Sequence, residues 1–179
     1  AAKDAVLSRA AQALDTRLGG QITRAVKAAR FEGDAASLVE ILAPAGLAAS
    51  RVLVAGTGIA GKADAGTFEK IGGAVAAKLL TSGETQVTVD FDGVDDIAIA
   101  RDTAAARLAH GAALRSWRYD LYRTKLKPNQ KPTLTALTVV NAPAGAAAAH
   151  SALAALERGV GVARDSVGVA LHRLFFFFC

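Results

Sequence analysis

Arg51-Val52-Leu53-Val54-Ala55-Gly56-Thr57-Gly58-Ile59-Ala60-Gly61 is an apolar run that stops on glycine. A short run of this kind, rich in β-branched residues, predicts a strand over 51–55. Its unbroken apolar character predicts cover on both faces. The glycine turn leads to Asp64 or Thr67, either of which can cap a helix. Phe68, Ile71, Val75 and Leu79 then recur at helical spacing, giving a helix over 64–80. A strand that passes through a glycine turn into an amphipathic helix points to an α/β layered domain.

Working outward, the same alternation continues. Val6, Ala10, Ala13, Leu14 and Leu18 mark a helix over 5–18, stopped by Gly19 and Gly20. Ile22, Val26 and Ala29 restart a short helix that ends near Phe31 and Gly33. Residues 37–42 read as a strand closed by Pro44 and Gly46, and 85–91 alternate as another. A long helix is expected over 94–114, with Ile97, Ala100, Ala104, Leu108 and Gly111 on one face. Residues 133–140 make the fourth strand. After Pro143 and Gly145 an Ala-rich helix runs from Ala146 to Val162 and on to about Val169. The expected architecture is α/β and three-layered: a mixed, mostly parallel sheet with helices on both faces. Gly72-Gly73 inside the third helix costs roughly 1 kcal/mol per glycine relative to alanine, so it marks a close backbone approach.

The 179 residues fit one domain, or one domain with an appendage. The single Cys, Cys179, excludes an internal disulfide framework and fits a reducing, cytoplasmic setting. No basic-then-apolar leader opens the chain, and no apolar run reaches the roughly 18 residues that span a bilayer. Leu174-Phe-Phe-Phe-Phe-Cys179 stands apart, because four exposed Phe would drive aggregation.

The charge is concentrated. Between Arg115 and Lys131 lie six basic residues (Arg115, Arg118, Arg123, Lys125, Lys127 and Lys131) and one acid, Asp120, which together equal the formal net charge of +5. The only Trp and both Tyr of the chain sit in the same block. Three readings compete: a helix end whose basic stems cover packed aromatics, a nucleic-acid patch, and a subunit interface. The contact candidates are Arg115, Arg118, Tyr119, Arg123 and Lys125.

Motifs for chemistry are thin. Gly56 to Gly61 spells the dinucleotide fingerprint G-x-G-x-x-G after a strand. Asp64, though, starts the helix late, and Asp90 and Asp92 lie too far on to hold a ribose. Gly56 to Lys62 nearly makes a phosphate loop, but Ala63 stands where a magnesium-binding hydroxyl is needed. His110, His150 and His172 show no metal-ligand spacing and read as ordinary helix residues. Asp90, Asp92, Asp95 and Asp96 read as a solvated turn with helix-start acids. No catalytic, metal or cofactor-binding residue is assigned.

The pieces resemble, in order, the amino-terminal domain of the leucyl (cytosol) aminopeptidase family. Those pieces are Arg51–Gly58, Gly72-Gly-Ala-Val-Ala-Ala-Lys-Leu79, the block Gly111–Lys125 and Gly159-Val-Gly-Val-Ala-Arg-Asp165. They cover about residues 5 to 165, and 111–125 is the most specific. The strand that precedes the first helix in this family has no counterpart here. The resemblance implies a division into an amino-terminal domain (1–145), a connecting helix toward a catalytic domain (146–170) and an atypical tail (171–179). It implies that two divalent ions, zinc or manganese, belong to that other domain, whose lysine-containing glycine-rich strand and Asn-Thr-Asp-Ala-Glu-Gly-Arg segment do not occur here. It implies the catalytic domain and the neighbouring subunits of a hexamer as partners, with no membrane. DNA is a weak, salt-dependent alternative. After Asp165 the sequence leaves the family pattern, which reads as a truncation or a shifted frame.

Overall fold

The computed structural model describes residues 6–121 and 123–177, with side chains described as far as residue 168. The element order is α1 (Arg9–Arg17), α2 (Gln21–Ala28), β1 (Leu38–Leu42), β2 (Arg51–Ala55), α3 (Ala65–Leu79), β3 (Gln86–Asp90), α4 (Arg101–Ser116), β4 (Ala136–Val140) and α5 (Ala146–Phe177). A single 3-10 turn at Pro128–Gln130 sits in the loop after α4. The fold is mixed α/β. None of the described helices is long and apolar enough to cross a membrane.

Among the described residues the strands form two separate pairs. β1 and β2 run antiparallel, with Leu38 opposite Ala55 and Leu42 opposite Arg51. β3 and β4 run parallel, with Gln86 opposite Ala136 and Asp90 opposite Val140. A parallel pair needs a long crossover, and α4 with its following loop supplies it. This differs from the expected single sheet of mostly parallel strands. Between β2 and β3 the link is made by side chains, not by a ladder: Arg51 Nε donates to Glu84 Oε1 at 2.8 Å, and Ser50 Oγ donates to the same oxygen at 2.6 Å. β2 is half-buried along its whole length, short of the full cover its apolar run predicts.

α3 forms where its pattern places it. Asp64 is the cap, its Oδ1 accepting from the Thr67 N–H at 2.8 Å. Phe68, Ile71, Val75 and Leu79 are all buried. Phe68 and Ile71 meet Ala104, Ala105 and Leu108 of α4, and β-strand residues Ala55, Val89, Leu137 and Val139 pack against that cluster. Leu18, Ile22 and Val39 are also buried, and α2 packs on both α1 and β1.

α4 starts at Arg101, well after the expected Val94. Gly93 takes a left-handed φ of 71°, which breaks any helix there. The following residues run irregularly yet still send Val94, Ile97 and Ile99 against the core. Asp92 is held by a two-point ion pair with Arg9, and Asp95 pairs with Arg101. The hydrogen bond from Arg9 holds the Asp92 carboxyl below the usual carboxylate range. The acidic turn is thus committed to structure. α1 begins at Arg9 under a Ser8 cap, later than expected, and Ala5 lies outside the described residues. α5 continues through Phe177 rather than stopping near Val169.

Arg51, Glu40, Lys78 and Glu84 tie β1, β2, α3 and the β3 entry together. Arg51 Nη1 lies 2.7 Å from Glu40 Oε1, and Lys78 Nζ lies 2.7 Å from Glu40 Oε2. The Lys78 hydrogen bond, and then Arg51, hold the Glu40 carboxyl below its usual range despite its partial burial. For Glu84 the Ser50 hydroxyl does most, with Arg51 next. A carboxylate whose folded pKa is depressed stabilises the fold above its unfolded pKa and loses that contribution as pH falls through the folded value. The melting temperature should therefore fall as pH drops below about 4.5, the ordinary glutamate value. In Arg51→Leu the melting temperature should already be lower at pH 7, and its further fall in acid should be shallower. Parallel acid slopes for the two proteins would show that this network does not carry the effect.

Candidate functional site

α4 ends at Ser116, and Trp117 turns the chain into extended geometry. This turn brings the basic-aromatic block against α5. The Trp117 and Tyr119 rings stack 6.4 Å apart at 22°. Arg164 of α5 lies 5.4 Å over the Trp117 ring, a cation–π contact, while its Nη1 donates to Leu114 O at 2.7 Å. The indole Nε1 donates to Asp165 Oδ1 at 3.0 Å. Beneath Tyr119 sits Gly168, where a Cβ would come within 3.0 Å of the ring. Between these aromatics and Val160, Ala163 and Val167 lies an open, almost wholly apolar groove of about 440 Å³.

The candidate contact residues fall into separate environments. Arg118 is consumed within the loop. Its Nε lies 2.7 Å from Asp120 Oδ2, and its Nη1 donates to Gln130 O at 3.0 Å. Tyr119 belongs to the aromatic stack. Arg123 is 64% exposed and reaches Asp120 only at 3.8 Å. Lys125 is exposed, and Arg115 is exposed on the α3 side, near Gly73. Tyr122 and the end of the Phe-rich tail, Phe178 and Cys179, lie outside the described residues, as do the side chains of Phe175 to Phe177.

Gly56, Gly58 and Gly61 do not cradle phosphate. A phosphate site at such a turn needs free backbone N–H groups. Here the Gly56 N–H donates to Ser37 O, Gly58 to Gly33 O and Gly61 to Asp96 O, each at 2.9 Å. A Cβ on Gly56 would lie 2.2 Å from Asp34 O, so this glycine is where residues 33–36 cross the end of β2. The dinucleotide reading gains no geometry from the site.

One cluster has no counterpart among the sequence-based expectations. His110, on α4, is buried, at 3% exposure. Its Nδ1 lies 2.9 Å from Glu157 Oε1, and His150 Nε2 lies 3.1 Å from the same oxygen. A sequence signal for it exists: His150 and Glu157, seven positions apart, share a face of α5. The trio fastens α5 to α4. Among the described residues no three His, Cys, Asp or Glu side chains lie together in a way that could hold a metal ion.

The family model described as the cytosol aminopeptidase family, N-terminal domain, matches residues 1–126. The chain belongs to the cytosol aminopeptidase family. A probable cytosol aminopeptidase of Xanthobacter autotrophicus is 38% identical over 148 residues, which is 82% of this chain and 29% of the relative. One from Rhizobium etli is 34% identical over 168 residues, 92% of this chain and 33% of the relative. The chain thus spans about a third of the length of the curated relatives it matches. Among solved structures, the bottromycin maturation enzyme BotP has a TM-score of 0.63 at 26% identity, over 78% of this chain and 28% of that one. A tomato leucine aminopeptidase mutant shares the fold, with a TM-score of 0.63 at 20% identity over 83% of this chain and 28% of its own.

Proposed function

We propose that this chain serves as a non-catalytic amino-terminal domain of a leucyl aminopeptidase-type metallo-exopeptidase of the cytoplasm. Its role is to position and assemble a catalytic domain that removes amino-terminal residues from peptides. The family match over residues 1–126 carries this reading. In that catalytic domain a pair of divalent ions, zinc or manganese, would activate water; no step of the reaction is assigned to residues of this chain. In the assembly reading Arg115, Arg118 and Tyr119 fix the domain to its catalytic partner or to neighbouring subunits of a hexamer. Helix α5, starting at Ala146, is the connecting element.

The purified chain with added zinc or manganese should release no p-nitroaniline from leucine p-nitroanilide above the protein-free background. Metal-dependent release that a chelator abolishes would overturn the proposal. The second reading, weak DNA binding, is favoured by the exposure of Arg123 and Lys125. It requires a low-salt gel shift that is lost in Arg123→Ala with Lys125→Ala, because binding by so few cations is salt-dependent and rests on each of them. A shift that survives both substitutions removes it.

A further inference from the structure

The two strand pairs lie in one layer but do not meet. Ala55 of the first pair and Val89, Leu137 and Val139 of the second pack against the same cluster of α3 and α4 residues. Nearly all Cα atoms of β2 nevertheless lie more than 8 Å from those of β3, whereas hydrogen-bonded strands lie about 4.8 Å apart. The separation also has a ceiling. Ser50, just before β2, donates to Glu84, just before β3, at 2.6 Å. That bond holds their Cα atoms within about 10 Å of each other at standard bond lengths. Two strand spacings come to about 9.6 Å, so the gap between β2 and β3 is one strand wide.

Both edges of the gap present unpaired main-chain groups. Gly56 N–H donates to Ser37 O, and Ala43 N–H donates to Ser50 O. Carried through the β1–β2 register, this alternation turns the N–H and C=O of Arg51, Leu53 and Ala55 away from β1. On the other side Ala136 N–H donates to Thr85 O, and Phe91 N–H donates to Val140 O. Residues 85, 87, 89 and 91 therefore face β4, while Gln86, Thr88 and Asp90 turn their main-chain groups away from it. Among the described residues, no hydrogen bond reaches the outward main-chain groups of these six. Val6, where the described chain begins, is 91% exposed and does not enter the gap. A single unpaired edge is already a template for another strand, and here two face each other.

We propose that this gap is an acceptor site for one extended peptide strand, bound through its main chain to β2 on one side and β3 on the other. Its length matches the five residues of β2 and of β3. On one face lies the cluster of Phe68, Ile71 and Leu108, against which Ala55 and Val89 already pack. Every second side chain of the added strand is therefore apolar, and β-branched residues suit such a half-buried surface. On the other face Gln86 and Thr88 are exposed, so the intervening positions take polar residues. Proline is excluded, because each residue must supply an N–H to one edge or the other. Nothing in this depends on the aminopeptidase reading.

Amide hydrogen exchange of the full chain tests the site directly. In the chain alone the amides of Leu53, Ala55, Thr88 and Asp90 should exchange about 100-fold faster or more than those of Val52, Val54, Val87 and Val89, which are paired. The probe is the capped peptide Lys-Val-Thr-Val-Thr-Val-Lys. At millimolar concentration it should slow the Leu53 and Thr88 amides together by about tenfold or more and raise the melting temperature. The same peptide with proline for its central valine should do neither. Edge amides already protected in the chain alone would overturn the proposal. So would a peptide that leaves both amides unchanged, that protects Glu40 or Leu137 instead, or that works equally well with proline.

Discussion

Gly72→Ala and Gly111→Ala should each lower the melting temperature by about 6–12 °C, whereas Gly73→Ala should leave it unchanged or raise it slightly. The three positions differ in what an added methyl meets. At Gly72 a Cβ would sit 1.9 Å from Leu108 O and 2.9 Å from Ala112 N. At Gly111 it would sit 2.0 Å from Glu69 O. These are reciprocal contacts between the backbones of α3 and α4, so no side chain can swing aside. Relief requires the helices to separate, which opens the cluster of Phe68, Ile71, Ala104, Ala105 and Leu108. Overpacking typically costs 1–3 kcal/mol, and a backbone obstacle puts these sites at or above the top of that range. The helix propensity regained on replacing glycine, about 1 kcal/mol, offsets only a fraction of it. At roughly 2–4 °C per kcal/mol for a chain of this size, about 3 kcal/mol gives the stated shift. At Gly73 the nearest backbone atom, Gly111 O, is 3.7 Å away, an ordinary contact. Equal melting temperatures for Gly72→Ala and Gly73→Ala would show that the close approach of α3 and α4 does not limit stability.

That pair of helices also shows what the sequence displays and what it conceals. Gly72-Gly73 announces a close approach, but nothing local distinguishes the glycine that needs it from its neighbour. The distinction lies in Leu108 and Gly111, far along the chain. Short β-branched runs such as Arg51–Ala55 are legible because their composition and length are local properties. Sheet pairing is not, because it depends on contacts between residues distant in sequence. The start of α4 is misplaced by periodicity for a specific reason. Val94, Ile97 and Ile99 are spaced like one face of a helix and do reach the core, but they do so from irregular chain after the left-handed Gly93.

The functional block shows the same split. Its charge and aromatics stand out in the sequence, and Trp117 and Tyr119 do stack. What completes the groove, namely Val160, Arg164, Val167 and Gly168, comes from a helix that reads by itself as an Ala-rich connector. His110 illustrates the opposite case. On a helix pattern rich in alanine a lone histidine looks unremarkable, and only the packing of α5 across it supplies Glu157 as its partner.

Phe68→Ala should cost about 3–5 kcal/mol in denaturant unfolding, the usual penalty for emptying a buried aromatic site. Phe68 and Phe91 are each 1% exposed, with ring centroids 5.8 Å apart and planes tilted by 49°. The two rings belong to different layers. Phe68 projects from the first turns of α3. Phe91 follows β3, its N–H donating to Val140 O of β4 at 3.0 Å and its carbonyl accepting from Arg101 Nη2 at 3.1 Å. Phe91 therefore cannot slide to fill a cavity without breaking the end of the parallel strand pair and the first turn of α4. That restraint places the expected cost toward the top of the range, since a site that cannot collapse retains its cavity. Phe68→Leu should lose less, because it leaves a smaller void. A double-mutant cycle with Phe91→Leu should show a coupling of about 0.5–1.5 kcal/mol beyond buried area, as tilted aromatic pairs do. A loss below about 1 kcal/mol for Phe68→Ala, or strict additivity in the cycle, would mean that α3 is held to the parallel pair by other contacts.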